Sequence, residues 1–275
     1  GFLTSDIMDP NLGRPKRSLS QNFLVDVNIQ KKIVAALRAD ATEVVVEVGP
    51  GRGALTQHLV GAVSKLVLIE LDHDLAAMWS EKYRDRDDVT VLQGDVLKIP
   101  FWESVEDPSQ VHVIGNIPYN ITSPIIFRLL ERPRPKSILL TVQKEVAQRI
   151  TAPVGSKEYG ALSVGVRSIA SAEILFGIGR HAFKPKPGVD SAVIRIVPVR
   201  PEPLSLEEEL SLRRLVRSAF QWRRKQLKKI LRDHEALNIS PKLIKEVAER
   251  AEIDLTDRPE RLSPEAFLRL AGTLP

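Results

Sequence analysis

Short β-branched runs alternate with stretches of helical periodicity between residues 44 and 142, and this alternation constrains the fold more than any other feature of the chain. Val44–Val48, Leu66–Leu71, Val89–Leu92, Val111–Gly115 and Ser137–Val142 read as strands. Ala54–Gly61, Asp74–Tyr83 and a segment opening at Ser123-Pro124, with Ser as N-cap and Pro in the first turn, read as helices. Strands joined by helical crossovers run parallel, and a parallel sheet needs apolar cover on both faces. The expected class is α/β, a doubly wound, Rossmann-like sheet. Ahead of it, Asp26 is placed to N-cap a helix whose Ile29, Ile33, Val34 and Leu37 share one face.

Beyond the alternating region, Glu173–Phe176 and Ala192–Val197 read as strands around a Pro-rich loop, His181–Val189; residues 160–170 lean helical. Pro198-Val-Arg-Pro-Glu-Pro203 is a stiff linker. Everything after it reads as helix: Ser205 and Glu208 form a capping box, and Ser-Pro pairs at 240 and 263 open two more helices. The boundary falls near Arg200, giving a larger domain over 1–200, with an arm over 1–25 whose first 15 residues are extended, and a small all-helical domain over 201–275. The 275 residues suit one large and one small domain. With no Cys, the chain has no disulfide, Cys-ligated zinc or cysteine nucleophile, and its five scattered His predict no metal. No apolar run approaches the ~20 residues of a membrane span, and nothing at the N-terminus reads as a signal peptide. A cytoplasmic monomer without membrane partners is expected, an organellar origin after loss of a transit segment staying open.

Val44-Val-Val-Glu-Val-Gly-Pro-Gly-Arg-Gly53 is a strand running into a glycine turn. In doubly wound sheets ligands sit at the carboxyl ends of strands, and glycines let a ligand approach the backbone. Taken alone, the pattern is a tight turn. Glu70, ending the next strand, can accept hydrogen bonds from two ribose hydroxyls, and Asp95, after the third strand, can receive an exocyclic amino group. Three features at successive strand ends predict a nucleoside pocket. A dinucleotide fits poorly, because Pro50 removes an N–H that a pyrophosphate would use and the G-x-G-x-x-G spacing is missing. The acid-flanked turn instead suits a cationic ligand without phosphate, such as S-adenosylmethionine.

After the fourth strand comes Asn116-Ile-Pro-Tyr119, which could be no more than a strand-ending turn. Chemistry offers a sharper reading. Methylating an aromatic amine requires its lone pair to leave ring conjugation. The Asn116 side-chain carbonyl and the Ile117 backbone carbonyl can accept its two N–H bonds, while Tyr119 stacks on a flipped base.

With these stretches in view, the chain resembles the rRNA adenine N6-dimethyltransferases of the KsgA type. The resemblance rests on Ser20-Gln-Asn-Phe-Leu-Val-Asp26, Glu47–Gly53, Glu70, Gly94-Asp95, Asn116-Ile-Pro-Tyr-Asn120, Phe183-Lys-Pro-Lys-Pro-Gly-Val-Asp-Ser191 and Leu215-Val-Arg-Ser-Ala-Phe-Gln-Trp-Arg-Arg-Lys-Gln-Leu227. It runs from about Pro15 to the C-terminus, and its specificity lies in the combination of motifs. It implies a Rossmann-like S-adenosylmethionine-dependent methyltransferase domain followed by a helical domain, dimethylation of adenine N6 in small-subunit rRNA during subunit maturation, and the small ribosomal subunit as partner. It implies cofactor contacts at Asn22, Leu24, Gly49, Gly51, Glu70, Asp95 and Asn116, catalytic positions at Asn116, Ile117, Pro118 and Tyr119, and a base-facing aromatic at Phe183. The residues alone leave Phe183 as a loop hydrophobe. Ser20 stands where these enzymes commonly carry Gly, a Ser shared with the Erm relatives that methylate 23S rRNA. An Erm-type enzyme, or a non-catalytic ribosome-assembly or transcription factor on the same fold, stays open as an alternative.

Residues 213–232 hold nine basic side chains and no acid: Arg213, Arg214, Arg217, Arg223, Arg224, Lys225, Lys228, Lys229 and Arg232. At about 100° per residue, all but Arg223 project onto one face of a single helix, opposite Leu212, Leu215, Val216, Ala219, Phe220, Leu227 and Ile230. A break near Gln221 would give two basic faces. A charge run is commonly just a solvated face, but without acids it cannot be neutralised along the helix, and RNA phosphate is the expected partner of Arg213, Arg217, Arg223, Arg224, Lys225 and Lys228.

Overall fold

The structure, a computed structural model, describes residues 22–275. The extended arm expected over residues 1–15, and Ser20, lie outside the described residues. Two compact units emerge: one runs to Ala147 and resumes over Glu173–Pro198, and the other joins Gln148–Ala172 to Val199–Pro275.

The first unit carries β1 (Phe23–Leu24), α1 (Val27–Leu37), β2 (Val44–Val48), α2 (Thr56–Leu59), β3 (Lys65–Glu70), α3 (His73–Lys82), β4 (Val89–Gln93), β5 (Val111–Asn116), α4 (Thr122–Leu129) and β6 (Ser137–Gln143). There follow α5 (Lys144–Ile150), α6 (Ala161–Arg167), β7 (Ala170–Ile178), β8 (Phe183–Lys184) and β9 (Ser191–Pro198). One sheet has the order β4-β3-β2-β5-β6-β9-β7, parallel from β4 to β6, with β9 antiparallel to β6. A second sheet is the antiparallel pair β1-β8. From β2 the chain steps outward to β3 and β4, then returns to β5 on the other side. The crevice between β2 and β5 is thus the switch point where ligands bind in such sheets.

Both sheet faces are covered, as the uninterrupted β-branched strands require. Val45, Leu66, Leu68, Ile114 and Leu139 pack with Ile33 and Leu37 of α1, Leu59 of α2 and Trp79 of α3. Asp26 caps α1 as expected, its Oδ1 accepting from the Ile29 N–H at 3.1 Å. Helix α4, by contrast, begins at Thr122, and Ile121 at its cap makes no side-chain bond. Ser123 is therefore not the N-cap, and Pro124 is the third residue of the helix, two positions deeper than a Ser123 cap would place it.

The second unit is helical: α7 (Leu206–Gln221), α8 (Leu227–Asp233), α9 (Pro241–Ala251) and α10 (Pro264–Thr273) join α6. The capping box forms: the Glu208 N–H donates to Ser205 Oγ and the Ser205 N–H to Glu208 Oε1, both at 3.1 Å. Whereas the sequence suggested one boundary near Arg200, Gln148–Ala172 groups with the C-terminal helices. The reason is packing: α6 lies against α7 and α10, and Tyr159 donates its hydroxyl to the Leu262 carbonyl at 2.5 Å while its ring meets Phe220 edge-on.

Residues 213–232 are not one helix. The helix stops at Gln221, and α8 starts afresh at Leu227 because its first amides find other acceptors. The Leu227 N–H donates to the Asp257 carbonyl at 2.8 Å and the Lys228 N–H to the Leu255 carbonyl at 3.0 Å. That satisfies donors a new helix start would leave orphaned. The basic side chains occupy two helices and the turn between them.

Candidate active site

A cavity of about 670 Å³ opens at the carboxyl ends of β2, β3 and β5. Among the residues lining it are Asn22, Leu24, Gly49, Gly51, Glu70, Asp95, Asn116, Ile117, Pro118, Tyr119 and Phe183, so every cofactor-contact and catalytic position named from the sequence reaches one space.

The turn after β2 depends on glycine. Gly49 has φ +68° and a Cβ there would meet nothing within 4 Å, so its backbone lies bare to the cavity. Gly53 has φ +85°, and a Cβ would stand 2.4 Å from the Trp79 ring. The amides of this turn are taken internally: Gly49 N–H by the Ile69 carbonyl (2.9 Å), Gly51 N–H by Glu70 Oε1 (3.0 Å) and Gly53 N–H by the Pro50 carbonyl (2.8 Å), while Pro50 has none. A pyrophosphate finds no cradle here. Glu70, buried at the end of β3, also accepts from the Asp72 N–H at 3.0 Å through Oε2. Two of a carboxylate's roughly four acceptor directions stay open for ribose hydroxyls. Asp95 Oδ1 accepts from the Leu97 N–H at 2.9 Å, which fixes its side chain at the cavity edge.

Glu47, which the sequence reading treated only as part of an acid-flanked turn, has a distinct state. It is 2% exposed, and its Oε1 accepts from the Thr56 hydroxyl at 2.6 Å. Burial pushes its carboxyl up to about 8, against the pull of the Thr56 bond and with a further push from the Glu70 charge. Near pH 7 it is mostly neutral.

Asn116 ends β5 beside Thr141 of β6. The Ile117 N–H donates to the Thr141 carbonyl at 3.2 Å, and the Pro118 carbonyl accepts from the Ile121 N–H at 3.2 Å. The Asn116 amide and the Ile117 carbonyl have no hydrogen-bond partner among the described residues. Two acceptors therefore stand open where the backbone turns into the cavity. The Tyr119 hydroxyl is tied to Ser191 Oγ at 2.9 Å, which sets its ring at the mouth. Phe183 lines the same cavity as Tyr119; paired with Leu24 across β1-β8 and 2% exposed, it is a fixed part of the cavity wall.

Gln30 was missed. Its side chain donates to the Leu24 carbonyl at 2.9 Å, and its Oε1 meets Gln57 Nε2 at 2.9 Å and His58 Nε2 at 3.0 Å. It thereby ties the cavity-lining arm to α1 and α2. The available signal was a glutamine in the apolar stripe it shares with Ile33 and Leu37.

In the second unit, Arg217 is exposed and Arg213 half-buried on α7, Arg224 and Lys225 are exposed in the turn, and Lys228 is exposed on α8. Arg223 is engaged internally: its guanidinium donates to the carbonyls of Tyr159 (2.5 Å), Ser156 (3.2 Å) and Lys157 (3.0 Å) and to Glu260 Oε2 (3.1 Å). Its expected phosphate role is thereby replaced by a structural one.

Comparison with known proteins agrees with this geometry. The family model described as ribosomal RNA adenine dimethylase matches residues 13–271. The ribosomal RNA small subunit methyltransferase A of Pseudomonas aeruginosa is 40% identical over 262 residues, 95% of each chain. The protein of that name from Maridesulfovibrio salexigens is 41% identical over 258 residues, 94% of each. Among solved structures, a dimethyladenosine transferase from Plasmodium falciparum superposes with a TM-score of 0.77 at 27% identity, covering 90% of this chain and 95% of its own. The 23S rRNA methyltransferase ErmE gives 0.69 at 26% identity, covering 92% and 99%. Since the match spans nearly the whole chain, cavity unit and helical unit alike, this protein belongs to the ribosomal RNA adenine dimethylase family.

Proposed function

We propose that this chain transfers two methyl groups from S-adenosylmethionine to N6 of an adenine in small-subunit rRNA, acting as a monomer in the cytoplasm during subunit maturation. The observation that carries the reading is the pair of acceptors left without a partner among the described residues, the Asn116 amide oxygen and the Ile117 carbonyl, at the cavity that Glu70 and Asp95 also line. The donor supplies an electrophilic methyl on a cationic sulfur. Glu70 holds the ribose, Asp95 the adenine amino group, and Asn22, Leu24, Gly49 and Gly51 the remaining walls. Asn116 and Ile117 accept the two N6–H bonds and draw the nitrogen lone pair out of the ring. The N–C bond forms as the C–S bond breaks, with its electrons going to sulfur, and the methylated nitrogen loses a proton to solvent. Pro118 stiffens the turn, Tyr119 stacks on the flipped base, and Phe183 backs the wall behind it. A monomethylated N6 keeps one hydrogen, so one acceptor still orients it for a second transfer.

The helical unit is proposed to hold rRNA through Arg213, Arg217, Arg224, Lys225 and Lys228, since phosphate contacts position without reading bases. Radiolabelled methyl transfer to purified ribosomal subunits, followed by digestion to nucleosides, tests the whole reading. Label in dimethyladenosine from the small subunit is expected. Label confined to large-subunit rRNA, or only monomethyladenosine at long times, overturns it.

A further inference from the structure

A buried carboxyl with no cation to meet it among the described residues is an unusual wall for a cavity, and Glu47 is one. It sits at 2% exposure on β2, between Leu68 of β3 and Ile114 of β5, which offer it no charge. From α2, Thr56 gives one hydroxyl bond to Oε1; the other oxygen has no hydrogen-bond partner among the described residues. The titratable groups that sense it are Glu70 at the end of β3 and Tyr83 just after α3, and neither brings positive charge. Arg52, which lines the same cavity, is turned elsewhere, over the Phe23 ring at 4.1 Å.

We propose that Glu47 is a charge gauge of the cavity: it gives up its proton when the cationic sulfonium donor binds and keeps it beside the uncharged sulfide product, so that the enzyme favours donor over product. The inference rests on the methyl-donor reading above. S-adenosylmethionine carries one more positive charge than S-adenosylhomocysteine, and in a site of low polarity an added cation favours the ionised form of a neighbouring acid. On donor binding the Glu47 carboxyl becomes a carboxylate and its proton goes to solvent. Once the methyl has left, the cavity loses that positive charge and Glu47 takes a proton back from solvent. The raised value of about 8 fits a group that is protonated before the donor arrives.

Linkage fixes the sign. Donor affinity rises with pH, by up to about tenfold per unit, in the window below 8 and above the pKa of the liganded state, while product affinity stays nearly flat. Calorimetry of both ligands, repeated in buffers of different ionisation enthalpy at pH 7, counts the protons. Donor binding to the wild type should release about half a proton or more, and product binding almost none. The ligand's own α-amino group, near 7.7–8.0, contributes the opposite sign, a small uptake. Glu47→Gln should remove the release. Equal counts for donor and product, or a donor release that survives Glu47→Gln, overturns the proposal. Should Glu47→Gln not fold, the wild-type difference between the two ligands decides alone. Absence of binding by either ligand overturns the methyl-donor reading instead.

Discussion

Arg223→Met separates what holds the helical unit together from what holds RNA. The substitution keeps the aliphatic stem but removes donors to three carbonyls and Glu260. Tyr159 is wholly buried, so its carbonyl loses a charged partner that water cannot replace, at about 2–3 kcal/mol. Ser156 and Lys157 are more open, and their carbonyls cost about 0.5 kcal/mol each. The Arg223–Glu260 pair, with side chains 32% and 27% exposed, adds no more than about 1 kcal/mol. A loss of about 3–5 kcal/mol follows, read in denaturant unfolding as a lower midpoint at unchanged slope. RNA binding should keep its salt dependence. Arg224→Gln with Lys225→Gln should do the reverse: stability stays, and the log–log salt slope of subunit binding flattens by about 1.4–1.8 if both side chains touch phosphate. Wild-type stability in Arg223→Met together with a flattened salt slope would refute the structural assignment.

Asn116→Ala should slow single-turnover methylation by about a hundredfold or more, with donor affinity changed far less, because the lost acceptor matters most in the transition state; equal single-turnover rates would remove Asn116 from the mechanism. Gln30→Leu frees the Leu24 carbonyl and should raise the donor KM by about 5–30-fold while kcat holds, the equivalent of about 1–2 kcal/mol for unpaired groups; an unchanged KM in a folded variant refutes arm positioning. At the opposite end of the sheet, burial pushes the Glu43 carboxyl up, but bonds from Lys136 (3.0 Å) and His112 (2.7 Å) outweigh it and hold it at about 2, below its ordinary 4.5. A depressed acid stabilises the fold above pH 4.5 and loses that contribution as pH falls towards 2, up to about 3 kcal/mol. Glu43→Gln should flatten the stability–pH curve in that window, measured by denaturant melts at successive pH values.

The parallel sheet was legible because it is built locally, each β-branched run bounded by its own turn, and so were the caps at Asp26 and Ser205, where donor and acceptor lie within three residues. The strand-end positions were legible for the same reason: Glu70 and Asn116 end their strands and Asp95 closely follows one. What escaped depends on distant partners. The β1-β8 pair joins two-residue strands some 160 positions apart, Phe23 to Lys184, and no periodicity marks such an element. The break near Gln221 could be named only as an alternative, because the Leu255 and Asp257 carbonyls that receive the first amides of α8 lie far along the chain and the basic run is continuous. Ser123 looked like a cap from its neighbour Pro124, but the turn that starts at Pro118 sets the helix start two residues earlier. Glu47 has a protonation state written in its burial, invisible in an E-x-G-x-G string.

Trp79 offers the turn after β2 an optical readout. Its indole N–H donates to the Gly51 carbonyl at 3.0 Å, its ring covers the space a Cβ on Gly53 would take, and it stacks on Tyr83 at 5.8 Å between centroids. The chain has three tryptophans. Trp102 packs on Phe101 outside the cavity lining, and Trp222 packs on His234 in the helical unit. A ligand that presses on the glycine turn therefore perturbs one buried indole among three, and with Trp102 and Trp222 replaced by Phe the emission of the protein becomes a single-site record of that turn. Binding kinetics at the cavity can then be followed by stopped-flow fluorescence without a label, a radioisotope or a ribosome.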